Sequence, residues 1–190
     1  MGRTEPLGGW PRSPATLSGM DRHVYLGHGA SGTAASMAPF VEGLRRRGIA
    51  ADALDLPRRT AEEAVPVLRG LVPDSAGSIV GGQSYGGRVA SLAAAEPGVT
   101  YGGLVLFSYP LHRPGAPSFD ARTSHWPAIR CPVLLLSGEA DPFARIRLLR
   151  EAVGRLVHAE LVTYPRLGHT LRPVIDDVLD RTAAFVRDIA

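Results

Sequence analysis

The sequence predicts an α/β fold: a doubly wound, mainly parallel sheet with helices on both faces. Three observations predict it. Short apolar runs recur along the chain, as in Val24-Tyr25-Leu26, Leu104 to Phe107 and Val133 to Ser137, and they are continuous rather than alternating. Strands covered by helices on both faces have that character, whereas half-exposed antiparallel strands alternate. Between the runs lie segments of helical period, and regular alternation of strand and helix implies parallel pairing through crossover helices. The length of 190 residues suits one domain.

The elements follow in order. After Val24–Leu26 and a Gly/Ser/Thr loop, Met37, Phe40, Val41 and Leu44 fall at i, i+3, i+4 and i+7 and define one helix face. Arg45 to Arg47 suit the negative end of that helix, and Gly48 can take a left-handed cap. Ile49 to Leu56 reads as a strand closed by Pro57. Thr60 and Glu63 form a capping-box pattern for a second helix, in which Pro66 is expected to kink or shorten the run. Ser78 to Gly82 is a strand, and Tyr85 to Glu96 an Ala-rich helix stopped by Pro97-Gly98. Strands are expected at Leu104–Phe107, Val133–Ser137 and Leu161–Tyr164. Helices are expected with Ile146, Leu149, Val153 and Leu156 inward, and, after Pro173, with Ile175, Val178, Leu179 and Val186 inward. The connection from Ser108 to Arg130 is rich in Pro and has no helical period.

Residues 1–20 are rich in Gly, Pro, Ser and Thr and read as a loose tail before a domain spanning 21–190. Met20 is a competing start. The tail lacks the apolar core of a secretory signal, so a cytoplasmic location is expected. No run is long and apolar enough for a membrane span, and the single Cys131 excludes an intramolecular disulfide framework. All 21 basic residues are Arg, against 18 acidic ones, and the sequence holds neither Lys nor Asn. Both missing residues have A-rich codons, so the bias reads as base composition rather than nucleic-acid binding. The clusters Arg45–Arg47 and Arg58-Arg59 are short and suit solvated helix ends.

In doubly wound sheets the ligand site lies at the carboxyl ends of the strands. Three strand ends carry chemistry. Gly82-Gln83-Ser84-Tyr85-Gly86 is a G-x-S-x-G pattern with a strand leading in and a helix leading out. A sharp turn there lifts the Ser84 hydroxyl out of the sheet and leaves the Tyr85 N–H at a helix N-terminus. Asp141 follows the most apolar strand and can orient an imidazole; Glu139 is the second choice of acid. His169, after the last strand, is placed to act as a general base. Singly, Ser84 suits a helix cap, Asp141 a surface turn and His169 a loop, but their conjunction is far more specific. No pair of histidines has metal-ligand spacing, so no metal and no cofactor are expected.

At this point the sequence resembles the α/β-hydrolase family from His23 to Ala190. The resemblance rests on His28-Gly29-Ala30, on Gly82–Gly86, on Gly138-Glu139-Ala140-Asp141 and on Gly168-His169, in that chain order. It implies Ser84 as nucleophile, Asp141 as orienting acid, His169 as general base, and an oxyanion hole from the Tyr85 and Ala30 N–H groups. The roughly twenty-five residues between Phe107 and Val133 leave no room for a cap domain, so the chain most resembles the compact, lid-less, dienelactone-hydrolase-like branch. That enzyme uses a cysteine nucleophile; Ser84 stands here instead. The expected activity is cleavage of a small or exposed carboxylic ester or thioester through an acyl-enzyme, with a catalytically idle binding or scaffold domain as the alternative. The expected partner is thus a small-molecule substrate, with no nucleic acid and no membrane, and no oligomeric state is specified. His28, Tyr109, His112, Trp126 and Phe143 are expected to line the substrate pocket.

Overall fold

A computed structural model describes residues 1–7, 22–116 and 118–189. Seven strands form one sheet: β1 (Arg3–Leu7), β2 (His23–Gly27), β3 (Ala50–Leu54), β4 (Ser78–Gln83), β5 (Gly103–Phe107), β6 (Val133–Gly138) and β7 (Ala159–Tyr164). Their spatial order is β1-β7-β6-β5-β4-β2-β3, and every pairing from β2 to β7 is parallel. The helices are α1 (Ala38–Arg46), α2 (Ala61–Leu71), α3 (Tyr85–Ala94), the short α4 (Asp120–Thr123), α5 (Ile146–Val153) and α6 (Ile175–Asp188).

The central strands explain the continuous apolar runs. In β5, Leu104 and Leu106 pack on one side of the sheet, with residues of α2, α3 and α5. Val105 and Phe107 pack on the other, with residues of α1 and α6. The same division splits Val133 and Leu135 from Leu134 and Leu136 in β6. Both faces of each strand are thus covered, and each fully buried Leu contributes about 1.5–3 kcal/mol of transfer free energy.

Most helix boundaries follow from local chemistry. Thr60 and Glu63 make the reciprocal capping box that opens α2. Pro66 lies inside α2, which runs on to Leu71, so the proline does not shorten the helix; it forfeits one rung in the second turn. Gly48 takes its left-handed cap at φ 75°. Arg47, just beyond α1, reaches Asp180 and Asp176 of α6, joining the two helices of that face. Pro173 opens not α6 itself but a 3-10 turn, Arg172–Val174, that leads into it.

Two expectations need correction. Reading all of 1–20 as a loose tail fails for Arg3–Leu7, which pairs antiparallel with β7, Arg3 opposite Thr163 and Leu7 opposite Ala159. Arg181 of α6 holds the strand by donating to the Thr4 hydroxyl and the Gly2 carbonyl. The strand is an edge, where a proline such as Pro6 is tolerated and no apolar alternation is needed. Residues 8–20 lie outside the described residues. The 108–130 connection is also less irregular than expected: it holds α4 and a 3-10 turn, Trp126–Ala128. Among the described residues it carries no further helix, and nothing caps the carboxyl ends of the strands there. No described helix is long and apolar enough to cross a membrane.

Candidate active site

β4 lies beside β2, while β3 lies on the far side of β2. The loops after β2 and β4 therefore part at a switch point, where a crevice opens at the strand ends. The turn from β4 into α3 occupies it. Ser84 takes φ 51° and ψ −108°, a region rarely held by residues other than glycine. Such a conformation costs on the order of 1–3 kcal/mol. It is held by three backbone bonds: Ser84 N–H to Phe107 O (2.9 Å), Gly86 N–H to His28 O (3.0 Å) and Arg88 N–H to Ser84 O (3.0 Å).

The two glycines flanking Ser84 are required by close approach. A Cβ on Gly82, whose φ is 148°, would stand 2.2 Å from the Gly27 carbonyl oxygen. A Cβ on Gly86 would stand 2.3 Å from the carbonyl carbon of Gly27. Helix α3 thus rests directly on the backbone of β2, with its first N–H, that of Tyr85, free of intrahelical partners.

The loops after β6 and β7 are zipped together. Ala140 N–H donates to Leu167 O (2.8 Å) and Glu139 N–H to Tyr164 O (3.0 Å). This brings Asp141 to His169 and His169 to Ser84. The Asp141 Oδ2 lies 2.7 Å from His169 Nδ1, and His169 Nε2 lies 2.9 Å from Ser84 Oγ. The second carboxylate oxygen of Asp141 accepts the Phe143 N–H at 2.8 Å. The Asp141 side chain is fully buried, while that of His169 is 26% exposed. The arrangement fixes one tautomer: Nδ1–H donates to Asp141, leaving Nε2 to accept the Ser84 hydroxyl proton. The Phe143 ring packs on the imidazole, with centroids 4.6 Å apart. Glu139 is elsewhere, accepting from the Thr163 hydroxyl at 2.9 Å.

Ser84 and His169 open into a cavity of about 740 Å³, whose wall includes Gly29, Ala30, Tyr85 and Phe143. The loop bearing Ala30 and the start of α3 thus face the same space. Of the five expected lining residues, only Phe143 is there. His28, Tyr109, His112 and Trp126 are at most 2% exposed. Tyr109 and Trp126 pack edge to face at 5.1 Å, and the Tyr109 hydroxyl donates to Arg122 O.

The two histidines share one role, which the sequence does not announce. His28 donates from Nδ1 to Gly29 O (2.8 Å) and accepts the Leu56 N–H on Nε2 (3.1 Å). His112 donates from Nδ1 to Arg113 O (2.9 Å) and accepts the Arg145 N–H on Nε2 (3.1 Å). Each is a buried imidazole that ties one loop of the strand-end face to the next. His112 N–H also donates to Phe143 O (2.9 Å), so this clamp brackets the residue whose N–H holds Asp141.

Sequence reasoning also missed the arginines of the cavity wall, among them Arg88, Arg113 and Arg122. One signal was present. Arg88 follows Ser84 by four positions on the helix that Ser84 opens, and so lies one turn beyond it on the same face.

Several solved structures resemble this fold. A monoacylglycerol lipase from Paleococcus ferrophilus superposes with a TM-score of 0.75 at 16% identity, covering 88% of this chain and 95% of that one. A predicted CIB-like hydrolase from Thermoplasma acidophilum gives 0.71 at 19% identity, covering 91% and 89%. An esterase from Pyrococcus furiosus gives 0.71 at 20% identity, covering 90% and 84%. No curated protein sequence matches the chain. The family described as the alpha/beta hydrolase domain matches residues 21–186, nearly the whole length. With that match and the sheet order above, the chain belongs to the alpha/beta hydrolase family.

Proposed function

We propose that the protein is a serine hydrolase that cleaves a carboxylic ester or thioester through an acyl-enzyme. One observation carries the reading: a single chain of hydrogen bonds runs from buried Asp141 through His169 to the strained Ser84 at the mouth of a cavity. The kinship with a monoacylglycerol lipase and an esterase in fold agrees with it.

In this reading the Ser84 hydroxyl attacks the substrate carbonyl as His169 Nε2 takes its proton. Asp141 keeps Nδ1–H directed and stabilises the imidazolium that forms. The oxyanion is met by the Tyr85 N–H, with the positive end of α3 behind it, and by the Ala30 N–H. His169 then protonates the leaving alcohol or thiol, which departs. Water, deprotonated by the same nitrogen, attacks the acyl-serine, and Ser84 recovers its proton from His169. The uncapped strand ends favour small or surface-presented acyl groups.

The test is hydrolysis of p-nitrophenyl acetate and butyrate, with the acyl-enzyme trapped by rapid acid quench and intact-mass measurement. The expected result is a mass increase of one acyl group on the wild type and none on Ser84→Ala. Turnover by Ser84→Ala at the wild-type rate would reject the assignment.

A further inference from the structure

The cavity wall is far more cationic than the rest of the molecule. Overall the chain holds 21 basic and 18 acidic residues, close to parity. The wall holds Arg59, Arg88, Arg113, Arg122 and Arg172, and Glu62 is its sole carboxylate side chain among the described residues. These arginines come from five separate stretches: the loop before α2, helix α3, the turn at 113–116, helix α4 and the turn after His169. They are therefore not the solvated stripe of one helix.

Few carboxylates stand near them. Among the described residues Glu62 pairs with Arg88, and the buried Arg88 Nε has no partner. The Arg122 guanidinium donates, among the described residues, to the Pro110 carbonyl, at 2.7 Å, and meets no carboxylate. The Arg113 guanidinium has no acceptor among the described residues. Arg88, Arg113 and Arg122 line the same cavity, and burial, then the like charge of Arg88, weakens the hold of Arg122 on its proton. With Glu62 facing Arg88, the other four arginines of the wall, Arg113 and Arg122 among them, are left without a carboxylate in the cavity that holds Ser84.

We propose that this cavity takes an ester or thioester whose acyl or alcohol part carries a negatively charged oxygen group, a carboxylate or phosphate, seated on Arg88, Arg113 and Arg122. Guanidinium forks match the paired oxygens of both groups. The distance is suitable. Arg88 stands four residues beyond Ser84, about 6 Å along the helix axis, so an anion a few atoms from the scissile carbonyl reaches it. The proposal deepens the serine-hydrolase reading by naming its substrate class.

The experiment compares p-nitrophenyl hemiglutarate with p-nitrophenyl valerate, acyl chains of equal length that differ in one carboxylate. The wild type is expected to favour the hemiglutarate at least tenfold in kcat/KM, and the preference is expected to shrink in high salt. Arg113→Gln and the double variant Arg113→Gln/Arg122→Gln are expected to lose it; Arg46→Gln, the same charge change outside the cavity, is expected to keep it. Arg113 is exposed, so its single variant carries the test even where the double variant fails to fold. Calorimetric binding of glutarate and of inorganic phosphate to Ser84→Ala separates the two anion sources without turnover. Binding of either that is lost in Ser84→Ala/Arg113→Gln supports the anion site even if neither ester is cleaved, in which case only the serine mechanism falls. Equal kcat/KM for the two esters together with no binding of either anion would overturn the proposal.

Discussion

His169 Nε2 stands 2.9 Å from Ser84 Oγ although 85 residues separate them in the chain. The contact exists because two loops from opposite halves of the sheet meet over its carboxyl edge. Each is held by backbone: α3 by the glycines against Gly27, and the His169 loop by Leu167 O against Ala140. The side chains need only short reaches once that frame is set.

The acid is the first thing the frame predicts. Asp141 touches His169, and Glu139, two residues earlier, faces Thr163. Asp141→Asn is expected to fold, as judged by circular dichroism, yet to lose at least about a hundredfold in kcat, since an amide misdirects the imidazole tautomer. Glu139→Gln is expected to keep kcat within about twofold. The opposite ranking in ester-hydrolysis assays would move the acid to Glu139.

The glycines predict a sharp contrast in stability. Gly86→Ala puts a methyl 2.3 Å from backbone atoms of Gly27, with no flexible side chain to yield. It is expected to unfold the protein or lower stability by about 3 kcal/mol or more. Gly70, in α2, has open space around its missing Cβ, so Gly70→Ala is expected to stabilise by about 0.5–1 kcal/mol. Thermal unfolding of the pair reads both signs.

The His112 clamp predicts a defect of both stability and rate. His112→Leu keeps an apolar body but leaves the Arg145 N–H without its acceptor. The expected cost is about 1–2 kcal/mol, or a Tm lowered by about 2–8 °C. Because the same residue brackets Phe143, whose N–H holds Asp141, kcat is expected to fall while KM changes little. An unchanged kcat alongside a lowered Tm would limit His112 to a structural role.

How much of this was legible beforehand depended on the kind of signal. The strands, most helices and the order Ser84, Asp141, His169 were readable because each carries local chemistry: apolar runs, a capping box, glycines about a serine at a strand end. β1 was not, because Arg3–Leu7 is a charged edge strand with a proline and no apolar alternation. The lining residues failed for a different reason. Tyr109, His112 and Trp126 lie in a Pro-rich connection expected to border the pocket, but all three are buried, Tyr109 and Trp126 within the core on the α2, α3 and α5 side of the sheet. The arginine cluster is assembled from five distant stretches, and no local pattern announces it.

His125 predicts a pH dependence of stability. Burial, and then the charge of Arg88, push its imidazole down from 6.5 to about 4. The unfolded chain therefore binds more protons than the folded one between those values, so stability rises with pH across that window. On acidification from about 6.5 to 4 the expected loss is on the order of 2 kcal/mol, allowing for partial solvent screening. Denaturant midpoints of wild type and His125→Gln are expected to converge over this range; parallel curves would contradict it.

The central claim is that Ser84 is the nucleophile, and reaction with a fluorophosphonate followed by intact-mass and peptide mapping tests it most directly. The predicted result is one covalent adduct on Ser84, absent from Ser84→Ala and formed far more slowly in His169→Gln. An adduct that persists on Ser84→Ala, or an active wild type that takes none, would contradict the account.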